Sequence, residues 1–412
     1  MKKLFLLLTL ALSFQLKAQP KKILFIGNSY VYTNNLPQVL YNLALANGDS
    51  IIYDSSVPGG YTFQLHTTNA TTLSKISAQD WDYVVLQEQS QMPSFPPSQV
   101  QTETYPYAQQ LNDLILANDS CTETVFFMTW GRKYGDASNC ANYPPLCTFE
   151  GMQARLRQSY IEMADNNQAL VAPVGEAFKY ARMADSTINL YSPDNSHPSL
   201  AGTYLAACTF YATLFETSPI GIAYNAGLTG TQASFLQQIA YQTVFDSLAV
   251  WNINEFEPHA NISQISSSGP QFQFASNSTN VNQYLWSNGE TSNTANYTFT
   301  TLGLNTISLI ASNGCSSDTA FLDVMVSTLS NVYTLQNKSI QLYLQKENLT
   351  ININDNTLYN LKITDSMGKL VFTMSNQCSQ NLNINTSNWS KGIYFVQAIV
   401  NTQVYTQKIF IP

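Results

Sequence analysis

Histidine, charge and long apolar runs are all scarce in this sequence. Its 412 residues include only three histidines, His66, His197 and His259, so any imidazole chemistry must pass through one of them. Charged residues make up 11% of the chain, with 18 Lys and Arg against 26 Asp and Glu and no basic run. That balance argues against nucleic acid as a partner, because phosphate binding needs clustered cations. The six cysteines form no CxxC pair and have no histidine beside them at zinc-binding spacing, so neither a metal site nor a cofactor is expected. Beyond the first residues, no stretch has the ~18 unbroken apolar residues that a membrane helix needs.

What is present begins with "MKKLFLLLTLALSFQLKAQ", a basic start, a short apolar run and a small residue at Ala18. This is the pattern of a signal peptide over residues 1–18, and it implies a soluble protein exported through the periplasm to the cell surface or medium. No cysteine follows the expected cut, which disfavours a lipid anchor. Without residues 1–18, which carry Lys2, Lys3 and Lys17, the formal charge falls from −8 to −11. In an exported chain Cys140 and Cys147 could close the loop "CANYPPLC" as a disulfide; the pairing of Cys121, Cys208, Cys315 and Cys378 stays open.

From residue 21 to about 253, short β-branched or aromatic runs alternate with helical periodicities. "KILFIG" (22–27), "SIIYDSS" (50–56), "DYVVLQ" (82–87) and "TVFFMTW" (124–130) read as buried parallel strands, with "ALVAPVGEA" as a fifth candidate. Leu36, Val39, Leu40 and Leu43 recur at helical spacing, as do Leu200, Tyr204, Ala207, Tyr211 and Leu214. The alternation predicts an α/β layered domain over residues 19–253. Near "WNINEFEPHANIS" helical periodicity stops, and Ser/Thr/Asn-rich segments alternate with short strands. Residues 254–328 and 329–412 are therefore expected as two small all-β sandwich modules.

The first strand ends in "FIGNSYVYTNN", presenting Gly27, Asn28 and Ser29 at the carboxyl edge of the sheet, where open α/β sheets bind ligands. Taken alone the triplet reads as a helix cap. It is not a GxSxG nucleophile elbow, because Val31 stands where the second glycine belongs. A serine hydroxyl needs a base in reach and a third group to orient that base. "DNSHPS" offers both within one turn, as His197 and Asp194. Pro198 keeps His197 out of helical geometry and suits the first position of the next helix. A DxxH turn alone also fits a structural role or a metal-ligand pair. His66, in "FQLHTT", reads as a helix-surface histidine, and His259 falls in the linker.

"IGNSY", the glycine pair in "SSVPGGYT" and "DNSHPS", in that order and spacing over residues 21–215, resemble the SGNH (GDSL-like) hydrolases. The resemblance implies a flavodoxin-like three-layer α/β/α domain with a mostly parallel sheet. It also implies Ser29 as nucleophile, His197 as base and Asp194 as its orienting partner. The backbone N–H groups of Ser29 and of Gly60, or its neighbour Gly59, would form the oxyanion hole; only glycine lets a loop amide approach so closely. One block departs: where that family shows GxND, this chain has "LQEQS", which makes Gln89 the expected third donor, with Gln87 and Ser90 as other candidates. Asn28, Tyr30, Gln87, Trp130 and Arg132 are candidate substrate contacts at the same edge. For Trp130 core packing is an equal alternative to a sugar platform.

"YLWSNGETSNTANYTFTTLG" and its continuation to "NGCSSDTA" resemble a PKD-type immunoglobulin-like repeat. "ITDSMGKLVF" followed by "GIYFVQAIVNTQVYTQKIFI" is similar to the C-terminal sorting domains of type IX secretion in Bacteroidetes-like bacteria. The resemblances imply a secreted serine esterase handled by the type IX secretion machinery and acting on an ester, foremost an O-acetyl group on a carbohydrate. The rival reading is a cell-surface carbohydrate-binding or adhesion protein that kept the scaffold without the activity.

Overall fold

The computed structural model describes residues 19–327, 329, 331–334, 340–353, 358–378, 381–400 and 403–411. The expected signal peptide lies outside the described residues. The chain divides into two compact units, Met1–Phe256 and Glu257–Pro412.

The first unit is built on five parallel strands: β1 (Lys21–Ile26), β2 (Ile51–Ser56), β3 (Tyr83–Leu86), β4 (Glu123–Phe127) and β5 (Leu170–Ala172). Their order is β2-β1-β3-β4-β5, the flavodoxin-like arrangement. Alternate strand residues serve opposite faces. Ile23, Phe25, Val85 and Phe127 join one buried cluster, whereas Leu24, Ile26, Val84, Leu86 and Phe126 join the other. Both faces are covered, which is why these strands read as continuous apolar runs.

The helices are α1 (Ser29–Tyr32), α2 (Leu36–Ala46), α3 (Phe63–His66), α4 (Ala70–Ile76), α5 (Pro97–Glu103), α6 (Tyr105–Asn118), α7 (Phe149–Asn167), α8 (Val174–Ala184), α9 (Leu200–Phe215) and α10 (Gly230–Phe245). Residues of α2, α8, α9 and α10 pack on one face of the sheet, and residues of α6 and α7 on the other. The result is a three-layer α/β/α domain.

Two local expectations need correction. β5 is only three residues long, because Pro173 ends it and Val174 already begins α8. Pro198 is not the first helical residue either. It bridges to Tyr191 ahead of α9, and Ser199 is the N-cap, its hydroxyl accepting from Gly202 N–H at 3.2 Å. A serine cap satisfies an amide that proline leaves untouched.

The second unit is all antiparallel β-structure among the described residues. Phe274, Ala295 and Tyr297 of one three-stranded sheet share a cluster with Trp286, Leu309 and Val324 of another. Leu342, Leu349 and Ile351 of one four-stranded sheet share a separate cluster with Leu361, Val396 and Ile409 of another. Each pair of sheets closes over its own core, as a sandwich does.

Candidate active site

The carboxyl ends of β1, β2, β3 and β4 and the turn before α9 supply the residues singled out in the sequence. Asn28 caps α1: its Oδ1 accepts from Tyr30 N–H at 3.2 Å. The cap fixes Ser29 as the first residue of the helix, half-buried at the sheet edge. A first-turn amide such as that of Ser29 has no intrahelical acceptor and is left to point outward.

His197 meets Ser29 from 168 residues away, with Nε2 and Ser29 Oγ 2.8 Å apart. Its Nδ1 makes a very short hydrogen bond to Asp194 Oδ2. Asp194 Oδ1 also accepts from the backbone N–H groups of Ser196 and His197, each at 3.0 Å. Burial acts to raise the Asp194 carboxyl, but the bonds from His197 and from these two amides outweigh it and hold the group below the ordinary aspartate range. An ionised Asp194 accepts a hydrogen bond from Nδ1–H and holds the proton on that nitrogen, which leaves the Nε2 lone pair facing the serine hydroxyl. The contact order Asp194, His197, Ser29 allows the hydroxyl proton to pass to the imidazole.

The turn is braced from several sides. Ser192 N–H donates to His197 O at 2.8 Å and Lys133 N–H to Asn195 O at 2.9 Å. Asn34 Nδ2 reaches Pro198 O at 3.1 Å, and Trp130 Nε1 reaches Ser196 O at 3.0 Å. Asn195 sits at φ 60°, a left-handed conformation that asparagine tolerates.

Gly59 and Gly60 follow β2 in an exposed turn closed by Tyr61 N–H to Pro58 O at 3.3 Å. Gly60 has φ 71°, where a side chain would strain the backbone. Among the described residues neither glycine amide donates a turn or cap hydrogen bond. Tyr32, half-exposed on α1, places its hydroxyl 3.4 Å from where a Cβ on Gly59 would lie.

The loop after β3 differs from what was expected of it. Gln89 turns its amide along its own loop: Nε2 donates to Gln91 Oε1 at 3.2 Å, and Oε1 accepts from Gln91 N–H at 2.8 Å. Gln87 is fully buried, with Oε1 accepting from Asn28 N–H at 2.9 Å and Nε2 bonded to Glu88 O. Ser90 is buried as well, and Ser196 hydrogen-bonds the Tyr30 hydroxyl at 2.7 Å. Gln87, bonded at both ends of its amide and fully buried, braces the loop from inside, and Gln89 spends its Oε1 and one Nε2 hydrogen on Gln91.

The candidate substrate contacts divide similarly. Asn28, Tyr30 and Trp130 are buried. Trp130 is stacked between Tyr30 and Phe178, with ring centroids at 4.8 and 4.1 Å, so it is a core residue supporting α1 and not a sugar platform. Arg132 keeps 28% of its side chain exposed and pairs through Nη1 with the buried Asp136 at 3.2 Å. Cys140 and Cys147 are joined in a disulfide with Cα atoms 4.6 Å apart, closing the loop that follows Arg132.

His66 is not on a helix surface. It is completely buried under the Gly27–Ser29 loop, with Nε2 2.9 Å from Gly27 O and Nδ1 2.8 Å from Thr72 Oγ1. A carbonyl only accepts, so Nε2 carries the proton and Nδ1 accepts from Thr72. Burial lowers the basicity of this ring, against a smaller opposing effect of the Gly27 carbonyl. A four-residue helix is too short for periodicity to show which face is buried, and that is why the sequence misled here.

Glu88 was missed altogether. It is fully buried, accepts from Phe63 N–H at 3.1 and 3.0 Å and from Gln89 N–H at 2.5 Å, and burial pushes its carboxyl up to about 8. The available signal was an acid two residues past a strand buried on both faces.

Beyond this unit, residues 345–412 match one protein family model. They are a secretion system C-terminal sorting domain. The sorting domain marks the chain for secretion or display at the cell surface. No curated protein matches the chain. Similar solved structures include a DUF4886 family protein from Bacteroides uniformis, at 19% identity and a TM-score of 0.47, covering 55% of this chain and 95% of its own. A proposed SGNH hydrolase from Slackia heliotrinireducens is 26% identical with a TM-score of 0.40, covering 48% and 100%. An acetyl xylan esterase is 14% identical with a TM-score of 0.35, covering 46% and 98%. Among the described residues no helix is long and apolar enough to cross a membrane, and no cluster of His, Cys, Asp or Glu could hold a metal ion.

Proposed function

We propose that residues 19–253 form a serine esterase. The observation that carries this reading is the continuous contact from Asp194 through His197 to Ser29, with Nε2 2.8 Å from the hydroxyl, at the carboxyl edge of a parallel sheet. Ser29 Oγ attacks the ester carbonyl carbon while its proton passes to His197 Nε2. The carbonyl π electrons move to oxygen, and the oxyanion is met by the N–H groups of Ser29 and Gly60. Collapse expels the alcohol, which takes the proton from His197. Water, deprotonated by the same nitrogen, then attacks the acyl carbon, and the acid is released as the bond to Ser29 Oγ breaks and Oγ takes the proton back from His197.

The substrate class we favour is an O-acetyl group on a carbohydrate, reached outside the cell through the type IX route. Two features support this choice. The sorting domain over residues 345–412 favours a substrate outside the cell, and polysaccharides are one class of these. Tyr32, one helical turn from Ser29, keeps half its surface exposed as a flat contact for a sugar ring.

The test is hydrolysis of p-nitrophenyl acetate, butyrate and octanoate by the mature chain and by Ser29→Ala. The expected result is acetate preference in the wild type and loss of turnover by about 10⁴-fold or more in the variant. Equal rates in the two proteins would sink the esterase reading. Acetate release from acetylated xylan by the wild type, with none released by Ser29→Ala, sharpens the substrate class.

A further inference from the structure

We infer that Gln87 and Glu88 are positioning residues that fix the nucleophile loop and the Gly59–Gly60 loop relative to each other. The inference rests on the esterase reading above and gives the altered "LQEQS" block a role there without any contact to substrate.

Both residues follow directly on β3, the strand paired in register with β1. Gln87 N–H donates to Ile26 O at 2.9 Å, which extends the parallel ladder past the last strand residue. This lays the Gln87 side chain against Gly27, where a Cβ would fall 2.6 Å from Gln87 Oε1. Only glycine at position 27 permits that approach. From there Oε1 takes the N–H of Asn28, the residue immediately before the nucleophile.

Glu88 reaches the other way. Its two carboxyl oxygens accept from the N–H of Phe63, the first residue of α3 and three positions beyond Gly60. Asn28 Nδ2 then ties the loops to each other directly, donating to Tyr61 O at 2.9 Å. Two loops that contribute one amide each to the proposed oxyanion hole thus hang from consecutive residues at one rigid strand end. Donors must lie about 3 Å from the oxyanion position, and a misplacement of ~1 Å can cost ~10² in rate.

The burial of Glu88 supports this assignment. No Lys or Arg among the described residues pairs with it. A fully buried acid held only by N–H groups is costly. An apolar residue would fill the same volume more cheaply, but it could not hold the Phe63 amide.

The experiment uses the mature full-length chain with p-nitrophenyl acetate and reads kcat and KM separately. It also reads backbone hydrogen exchange over residues 27–32 and 58–66. Gln87→Leu and Glu88→Leu should lose roughly tenfold or more in kcat with KM within about twofold, and exchange should quicken in both segments. Gln87→Glu and Glu88→Gln keep an acceptor and should recover most of both. Gln87→Asn, with a shorter arm and no added apolar group, carries the test if a leucine variant fails to fold. Unchanged kcat, or unchanged exchange in the two segments, overturns the inference. An inactive wild type would instead overturn the esterase reading, and the exchange measurement would still decide whether the two loops are tied through Gln87 and Glu88.

Discussion

His66 and His197 each use both ring nitrogens, and the two regions around them differ in the partners and in access to solvent. His66 is closed in between Thr72 and the Gly27 carbonyl, with no carboxylate on either nitrogen and no exposed surface. His197 has Asp194 on one nitrogen, the Ser29 hydroxyl on the other, and 35% of its side chain exposed. A ring that donates to a carbonyl has spent its proton on a fixed acceptor. A ring oriented by a carboxylate keeps its basic nitrogen for a hydroxyl that an incoming substrate can reach. The same side chain is therefore a brace in one region and, in the proposed mechanism, the proton carrier in the other.

The largest expected effect breaks the His197 side of this comparison. His197→Ala should lower kcat for p-nitrophenyl acetate by ~10⁵ or more, and Asp194→Asn by ~10⁴, because the amide leaves the wrong ring nitrogen protonated. His66→Ala should cost less than a hundredth of the His197→Ala loss in kcat. Its signature is stability, since the buried Gly27 carbonyl loses its donor at about 1–3 kcal/mol, readable as a lower melting temperature.

The pH dependence of stability sharpens the contrast. Glu88 is raised from an ordinary 4.5 to about 8 by burial. Between those values the folded chain keeps a proton that the unfolded chain has lost. This contribution to stability is full below about pH 4.5 and is lost as pH rises toward 8, at up to ~1.4 kcal/mol per pH unit. Urea unfolding from pH 5 to 8 should therefore show a slope that Glu88→Gln flattens; an identical slope in both proteins would mean that Glu88 ionises freely when folded.

The smallest effect is of opposite sign. His66 has its basicity lowered by burial, so the unfolded chain takes up protons below pH 6.5, the ordinary histidine value, before the folded chain does. Stability falls as pH drops through that region, and His66→Gln should lessen the fall while leaving the alkaline limb as in the wild type.

Several of these residues were visible in the sequence and several were not. Asp194 and His197 were legible because a turn brings positions i and i+3 together whatever the rest of the chain does. Ser29 was legible as a polar residue after an apolar strand, in the right chain order. Trp130 could not be assigned, since an aromatic at a strand end looks the same whether it faces solvent or stacks between Tyr30 and Phe178. Gln87 and Gln89 looked like donors because their amides are donors in principle; what an amide bonds to depends on what packs beside it.

The sequence by itself determined the apolar strands, a cap ahead of α1 and the Asp194–His197 turn. Each follows from backbone dihedrals and contacts within a few residues. Only the tertiary structure decided that Ser29 meets His197, that Gln87 holds Asn28, that Glu88 holds Phe63, and that His66 is sealed beneath the loop. Those pairs are 25 to 168 residues apart. Their meeting depends on the parallel sheet, which aligns the carboxyl ends of separate strands along one edge, and no local pattern encodes that alignment.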